Sequence, residues 1–417
     1  MVVTAVCRAG APSPEDKQLA KQVYPTQALY DLWEASLSDP KAVETFAAER
    51  KQHGPLIDSI PGNTQEMRVT FVCLGTDSTR SAELVGGPDF LGLQMTRLGR
   101  TNLFFATQVV PTDARFVYAF NLTQLKSTGG GGGVEITDDI HTADAILEMP
   151  NAPAQPYTMP RAGVRKGKIV QTTITSALLN EERKITVYVP AAYGAKTACN
   201  LLVVFDGGSF GGNLDTAQVE IRTPTILDNL IADQRIGPTI AVLVWSMGKR
   251  DRDLPGSKPF ADFIANELVP WARSQYTILP GPKSVVVAGS SLGGLCASYC
   301  ALTHPGTIGN VISMSGSYWV SMTWQPVGAD FTHRFYPRET GMLIEAFKAS
   351  PRLAVRFYMD IGIYDLGAAL LGSNRELRDV LQLKGYDVDY REFAGGHNTV
   401  NWRGSIADGL ISVLGRK

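Results

Sequence analysis

From residue 166 to the C-terminus, apolar runs alternate with helical stretches, and this alternation restricts the fold more than any other feature. "KIVQTTIT" and "KITVYVP" predict strands, followed by "NLLVVFDGG", "TIAVLVWS", "SVVVAGS", "NVISMSG" and "LAVRFYMDIG". Between them, "PFADFIANELVPWARSQY" and "NRELRDVLQLKGY" carry apolar spacings of three and four and read as helices. Near-continuous apolar strands must be shielded from water on both sides, so the sheet is expected to be mostly parallel with helices on each face. Residues 166–417 are therefore read as one α/β catalytic domain.

The first 165 residues have a different texture. Residues 1–55 read as an N-terminal helical segment, with "QALYDLWEASLSD" and "AVETFAAERKQ" at helical spacing. Then "EMRVTFVCLG", "SAELVGG", "LQMTRLG", "TNLFFATQVV" and "ARFVYAFNL" form short runs punctuated by Gly, Asn, Asp and Pro. Such spacing predicts an immunoglobulin-like β-sandwich over 56–148. The glycines at 129–133 read as a mobile loop, and "MPNAPAQPYTMPRAG" places an extended Pro-rich linker at 149–165. Two domains suit a chain of 417 residues.

Composition removes several classes of function. A net charge of −1 is no footprint of nucleic-acid binding, and no apolar run reaches the roughly 18 residues of a membrane span. The opening "MVVTAVCRAGAPSPEDK" has no basic residue ahead of its apolar stretch and makes a poor secretory leader. Five scattered cysteines (Cys7, Cys73, Cys199, Cys296, Cys300) form no Cys-x-x-Cys pair. Cys296 and Cys300 read as buried thiols on one helix. A reducing, cytoplasmic setting fits that usage.

The pattern Gly-x-Ser-x-Gly occurs twice after an apolar strand: around Ser209 in "LLVVFDGGSFGGN" and around Ser291 in "VVVAGSSLGGL". A nucleophile elbow needs a strand, a strained turn flanked by small residues, and a helix that begins at once. Ser291 has all three, with glycines at 289, 293 and 294 and helix-compatible "LCASYCALTH" behind them. Ser209 is followed by "GGNLDTAQVE", a loop composition. Strand counting agrees, since Ser291 follows the fifth predicted strand and Ser209 the third. In α/β-hydrolases the nucleophile follows the fifth strand, and the loop after the third supplies an oxyanion N–H. Ser291 is the expected nucleophile. The backbone N–H groups of Gly208 and Leu292 are the expected oxyanion donors.

A serine nucleophile needs a base oriented by a carboxylate. His53 and His141 read as surface residues, His304 as a helix C-terminal cation, and His333 as a solvated or substrate-lining residue. His397 in "YREFAGGHNTVNWRG" follows the last strand, where this fold carries its base. "LAVRFYMDIGIYD" offers two acids. Asp360 lies within the strand end; Asp365 lies three residues past the glycine turn, able to reach back to the imidazole, and is preferred. The order Ser291, Asp365, His397 is the Ser-Asp-His order of α/β-hydrolases.

With these motifs in place, the chain resembles the enterochelin esterase family. "VVVAGSSLGGL", "NVISMSGSYW", "GYDVDYREFAGGHNTVNWRG" and "RTPTILDNLI" are similar to its elbow, following strand, histidine loop and helix. "SIPGNTQEMRVTFVCLG", "RLGRTNLFFATQVVPTDARFVYAF" and "AILEMPNAPAQP" are similar to its sandwich and linker. The resemblance implies hydrolysis of the ester bonds of a cyclic tri-serine lactone, a catecholate siderophore, often as its iron complex. The iron would belong to the substrate; no cofactor and no protein metal site is expected. Four departures stand out: Asn398 where the family often has Asp, "KRDRDLP" with Asp253 in place of a glutamate, Leu103, Phe104 and Phe105 where relatives show a tryptophan, and the pentaglycine run.

An anionic substrate implies cations, and Arg222, Arg250 and Arg252 are the candidates, with Trp319 and Trp402 to stack on catechol rings. The competing readings are surface pairing of those arginines with Asp251, Asp253 and Glu220, and core packing of the tryptophans. A carbohydrate or phenolic-acid esterase of the same fold is the alternative function. Its glycan-binding sandwich would want exposed aromatic platforms, yet residues 56–160 hold no tryptophan. A non-catalytic scaffold would not need an ordered Ser, Asp and His.

Overall fold

A computed structural model describes residues 13–88, 92–127, 134–194, 196–212, 221–322 and 340–415. Cys7, the pentaglycine run, Glu220 and His333 lie outside the described residues. The chain divides into two compact units, Met1–Pro153 and Ala154–Lys417.

The first unit begins with helices α1 (Pro14–Val23), α2 (Gln27–Ser36) and α3 (Lys41–His53). Ser13 and Asp16 form a reciprocal capping box at the start of α1, satisfying two otherwise orphaned donors. Two sheets follow, antiparallel throughout. One has the order β1 (Leu56–Ile60), β2 (Asn63–Leu74), β6 (Leu103–Pro111), β5 (Thr96–Arg97). The other runs β4 (Leu93–Gln94), β3 (Thr79–Gly86), β7 (Arg115–Ser127), β8 (Val134–His141), with β9 (Ala145–Glu148) also on β7. Phe71 of β2 and Tyr118 of β7 join the two sheets edge to face, ring centroids 4.9 Å apart.

The helices are no separate segment. Ala20, Leu29, Leu32, Trp33 and Val43 share one core with Val72, Leu103 and Phe105 of the four-stranded sheet and with Leu98, just past β5. That sheet is therefore covered on both faces, and three consecutive β6 residues, Leu103, Phe104 and Phe105, are all buried. Strands β1 and β9 lack the apolar alternation that marks the others, β8 carries two adjacent aspartates, and pairing with β2 and β7 defines all three.

The second unit starts inside the predicted linker, and its first residues are tied down. Gln155 donates to the Val400 carbonyl at 2.8 Å, and Arg161 pairs with Asp233 at 2.7 Å. Asn229 donates to the carbonyls of Tyr157 and Met159. The Pro-rich stretch is thus a strap on this unit from residue 155 onward.

Eight strands follow: β10 (Lys168–Ser176), β11 (Glu181–Val189), β12 (Asn200–Val204), β13 (Thr239–Val244), β14 (Val285–Ser290), β15 (Asn310–Met314), β16 (Arg356–Gly362) and β17 (Asp387–Phe393). Their order is β10-β11-β13-β12-β14-β15-β16-β17. The sheet is mixed: β10–β11 and β11–β13 pair antiparallel, the other neighbours parallel. Period-2 alternation sends Leu201, Val203, Ile240 and Val242 into one core and Leu202, Val204, Ala241 and Leu243 into another. Helices α4 (Thr223–Ala232) and α11 (Thr399–Leu414) close the second core. The first is closed by α6 (Lys258–Phe263), α7 (Val269–Gln275), α8 (Leu292–Thr303), α9 (Met342–Ala349) and α10 (Gly367–Leu383); the short α5 (Arg250–Asp253) precedes them. Between α6 and α7 the chain widens to a π-turn, Ile264–Leu268, just ahead of Pro270. A proline ring would collide with the carbonyl four residues back, and the wider turn relieves that.

All parallel strands end at one edge, so the segments after Val204, Val244, Ser290, Met314, Gly362 and Phe393 gather there. This is the edge where α/β sheets carry their sites.

Candidate active site

Ser291 sits between the last residue of β14 and the first of α8, with φ 58° and ψ −124°. A non-glycine residue there is strained and persists only where its surroundings over-determine it. Ser291 N–H donates to the Met314 carbonyl at 2.9 Å, and the Ser291 carbonyl accepts from Ser317 N–H at 3.0 Å. Gly289 permits the turn, because a Cβ there would stand 2.5 Å from the Gly293 carbonyl carbon. The Ser291 hydroxyl lies 3.3 Å from that of Ser317. Leu292 opens α8, so its N–H belongs to the first turn, whose donors have no intrahelical acceptor. An anion beside that turn is favoured by the helix dipole.

His397 lies in the loop between β17 and α11, and its Nδ1 is 2.6 Å from Asp365 Oδ1. The same oxygen accepts from Leu366 N–H at 2.7 Å. The Asp365 side chain is fully buried, while that of His397 is 13% exposed. Backbone bonds bring the two loops together: Ile363 N–H donates to Phe393 O at 2.9 Å and Tyr364 N–H to Gly395 O at 3.2 Å. Gly362 allows that approach, since a Cβ would meet Gly395 O at 2.2 Å. Trp402 stands edge-on to the His397 ring, centroids 4.7 Å apart and planes at 87°. Asn398 is the N-cap of α11, its side chain accepting from Asn401 N–H. Asn and Asp cap helices about equally well, so the asparagine serves this position as an aspartate would.

Asp360 takes another position. It is buried at 1% exposure, accepts from the Tyr358 hydroxyl at 3.1 Å, and shows no bond to His397. Burial pushes its pKa up to about 7. Of the two acids the sequence offered, the structure brings Asp365 to the imidazole.

After β12 the chain turns through Asp206 (φ 53°) into a kinked turn, Gly208–Gly212, whose backbone leaves helical geometry at Phe210 and Gly211. Gly207 N–H donates to Val244 O, Ser209 N–H to Asp206 O, and the Ser209 side chain is exposed. The Asp206 carboxylate accepts from the Ser246 hydroxyl at 2.5 Å and from Arg250 Nε at 3.0 Å. Asp206 and Ser246 escaped the sequence reading; an acid at a strand end before Gly-Gly was the available signal.

The predicted substrate-binding residues divide. Arg250 is held by Asp206, and Arg252 by Glu181 (2.7 Å) and Asp253 (2.6 Å), so neither pairs as the sequence suggested except Arg252 with Asp253. Arg252 belongs to a cluster around Arg183, whose guanidinium is buried and bonded to Asp253 and to Glu181. Lys249 also meets Glu181, whose carboxyl is lowered to about 2, foremost by its bond to Arg252. A buried arginine needs such partners, which fixes Asp253 as its counter-ion. Arg222 precedes α4 with Nη1 3.9 Å from Met159 Sδ; among the described residues it forms no ion pair. Trp319 and Trp402 are 7% and 8% exposed, too enclosed to present a ring face to a catechol. Both pack into the hydrophobic cores of this unit, in line with the competing reading the sequence offered.

The remaining described histidines stand elsewhere. His304 bonds to Asp262 at 2.9 Å, His141 to Asn121 at 2.8 Å, and His53 ends α3. Among the described residues no helix is long and apolar enough to cross a membrane.

Residues 176–413 match the Esterase family (Putative esterase), which spans the elbow, the acid turn and the histidine loop. Carboxylic-ester hydrolases on an α/β sheet are the class that match and this fold define. The chain belongs to the Esterase family. Iron(III) enterobactin esterase of Escherichia coli (strain K12) is 29% identical over 294 residues, 69% of this chain and 66% of that protein's length, just under two thirds. The solved enterobactin esterase of Shigella flexneri, in the presence of enterobactin, is similar in fold: 23% identity, TM-score 0.68, covering 88% of this chain and 97% of that one. The ferric enterobactin esterase of Salmonella typhimurium gives a TM-score of 0.71 at 21% identity, covering 88% and 98%.

Proposed function

We propose that this protein is a serine esterase that hydrolyses the ester bonds of a catecholate siderophore trilactone, with any iron carried by the substrate and no cofactor of its own. One observation carries the chemistry: the short Asp365–His397 bond at the sheet edge that also bears the strained Ser291 turn. In this reading Ser291 Oγ attacks the ester carbonyl while His397 Nε2 takes its proton. Asp365 holds the Nδ1–H and favours the imidazolium that forms. The N–H groups of Leu292 and Gly208 receive the oxyanion. The alkoxide of the leaving serine then takes the proton from His397. Water, activated by the same imidazole, cleaves the acyl-enzyme and restores Ser291.

The names of the relatives support the substrate class. Of the three predicted arginines, Arg222, beside the oxyanion loop in sequence, is the one with no ion pair among the described residues, and we read it as the cation for an anionic ligand. We further read the first unit as an immunoglobulin-like sandwich and the enzyme as cytoplasmic; the four described cysteines, all free and buried, support a reducing compartment.

The test incubates the protein with iron-free and iron-loaded cyclic tri-catecholate lactone and separates products by mass, with Ser291→Ala as control. A linear trimer heavier than the lactone by one water, and the linear dimer and monomer that further cleavage releases, are expected, and all are absent with Ser291→Ala. Turnover of a short aryl ester without any cleavage of the lactone would overturn the substrate class and leave the esterase chemistry standing.

A further inference from the structure

The segment from Met314 to Ser317 touches both halves of the candidate site. On one side it grips the elbow, through Met314 O to Ser291 N–H and Ser317 N–H to Ser291 O. On the other, the Ser315 hydroxyl accepts the Trp402 indole N–H at 3.0 Å, and both residues are buried. Ser315 itself has φ 48°, a left-handed backbone uncommon for a residue with a side chain. It is held there by Ser315 N–H to Asp360 O at 2.8 Å, and the next carbonyl, Gly316 O, accepts from Asn374 Nδ2 at 2.7 Å.

The bond to Asp365 pins the His397 ring at one point, Nδ1, and leaves the ring free to tilt about that contact. A second contact is needed to fix its plane. The edge-on Trp402 ring supplies it, and the hydrogen bond to Ser315 fixes Trp402 in turn. The geometry points to Ser315 and Trp402 as positioning residues, a brace that sets the tilt of the His397 imidazole relative to the Ser291 turn. The inference rests on reading His397 as the base and Ser291 as the nucleophile. It also gives a cause for the strain at Ser315: relaxed backbone there would carry the hydroxyl away from the indole.

The test uses the full chain and a neutral aryl ester, p-nitrophenyl butyrate, which needs no charged recognition. Ser315→Ala and Trp402→Phe each remove one end of the hydrogen bond, and the phenyl ring keeps the bulk beside His397. Each is expected to lower kcat about tenfold with KM within about twofold, as small misplacements of a catalytic group do. In the double variant the losses do not multiply, because both remove the same bond. The downfield proton resonance of His397 Nδ1–H is expected to be sharp in the native protein and to broaden in each. Should Ser315→Ala fold poorly, Ser315→Gly removes the hydroxyl while accepting the left-handed backbone.

Folded variants with native kcat and an unchanged resonance overturn the brace, as do losses that multiply in the double variant. Ser291→Ala and His397→Ala are run beside them. Their inactivity alongside unaffected brace variants refutes the brace alone. Activity surviving in His397→Ala refutes the base assignment and the brace with it.

Discussion

Ser209 and Ser291 share the same five-residue pattern, and each comes after a buried parallel strand, yet their surroundings differ in every physical respect. Ser291 carries the strain itself, at φ 58°, and heads a helix whose first turn faces the sheet edge. Around Ser209 the left-handed residues are its neighbours, Asp206 and Gly211, and the serine is an exposed member of a wide turn. The elbow is held by bonds to its own backbone from the β15 side. The Ser209 loop is held by a carboxylate, Asp206, clamped by Ser246 and Arg250. A motif thus supplies a turn of small residues. Whether that turn presents a side chain or backbone N–H groups depends on the next element in the chain and on the groups that clamp it.

The largest expected difference between the two is at the hydroxyls. Ser291→Ala is expected to lower kcat on an aryl ester by on the order of 10⁵ or more, as loss of a triad nucleophile does, and Ser209→Ala by less than about threefold. Thermal melting checks that both fold. The reverse result would exchange the roles of the two loops.

The two acids of the β16 segment give the next effect. Asp365→Asn is expected to cost roughly 10⁴ in turnover by misorienting His397, whereas Asp360→Asn stays within about tenfold. Steady-state rates of the two variants decide, and equal losses would erase the distinction between them.

The clamp on the other loop gives a smaller one. Arg250→Gln leaves Asp206 with only its hydroxyl partner and is expected to lower kcat about tenfold, in line with the worth of a charge-assisted bond. Because Arg250 acts through Asp206, a neutral aryl ester and an anionic catecholate ester suffer alike. A loss confined to the anionic ester would return Arg250 to direct substrate contact.

The smallest effect is a pH slope in stability. The Asp360 carboxyl is raised by burial to about 7, with the Tyr358 and Ser405 hydroxyls and Arg391 partly opposing and Asp408 adding to the shift. Between the unfolded value, about 3.9, and 7 the folded state binds the extra proton, so stability falls as pH rises through that window. Asp360→Asn is expected to flatten this slope, giving a variant relatively more stable at pH 8 than at pH 5. Urea denaturation at the two pH values checks it, and an unchanged slope refutes the burial argument.

Much of this architecture was legible in the sequence. The apolar runs of β12 to β16 announce themselves because strands buried on both faces tolerate little else. The elbow was legible because its requirements, strand, glycines and helix, fall within a dozen residues. The strands β1, β8 and β9 were missed, since the first and last are short and pairing with β2 and β7 creates all three. The Pro-rich stretch read as a free linker because nothing local reveals Asn229 and Asp233 waiting for Tyr157, Met159 and Arg161. Trp402 stayed open between stacking on substrate and core packing for the same reason: its indole partner, Ser315, is 87 residues away.

By itself, the sequence determined the parallel strands, the Ser291 turn and the histidine loop, because each is a local pattern written in consecutive residues. Tertiary structure alone decided the pairings: Asp365 with His397 across 32 residues, Arg183 with Asp253 across 70, and Asp206 with Arg250 across 44. A carboxylate or a guanidinium carries no mark of its partner in the chain. Burial at a particular strand end removes water and leaves each charge only the opposite group that the fold has brought within reach.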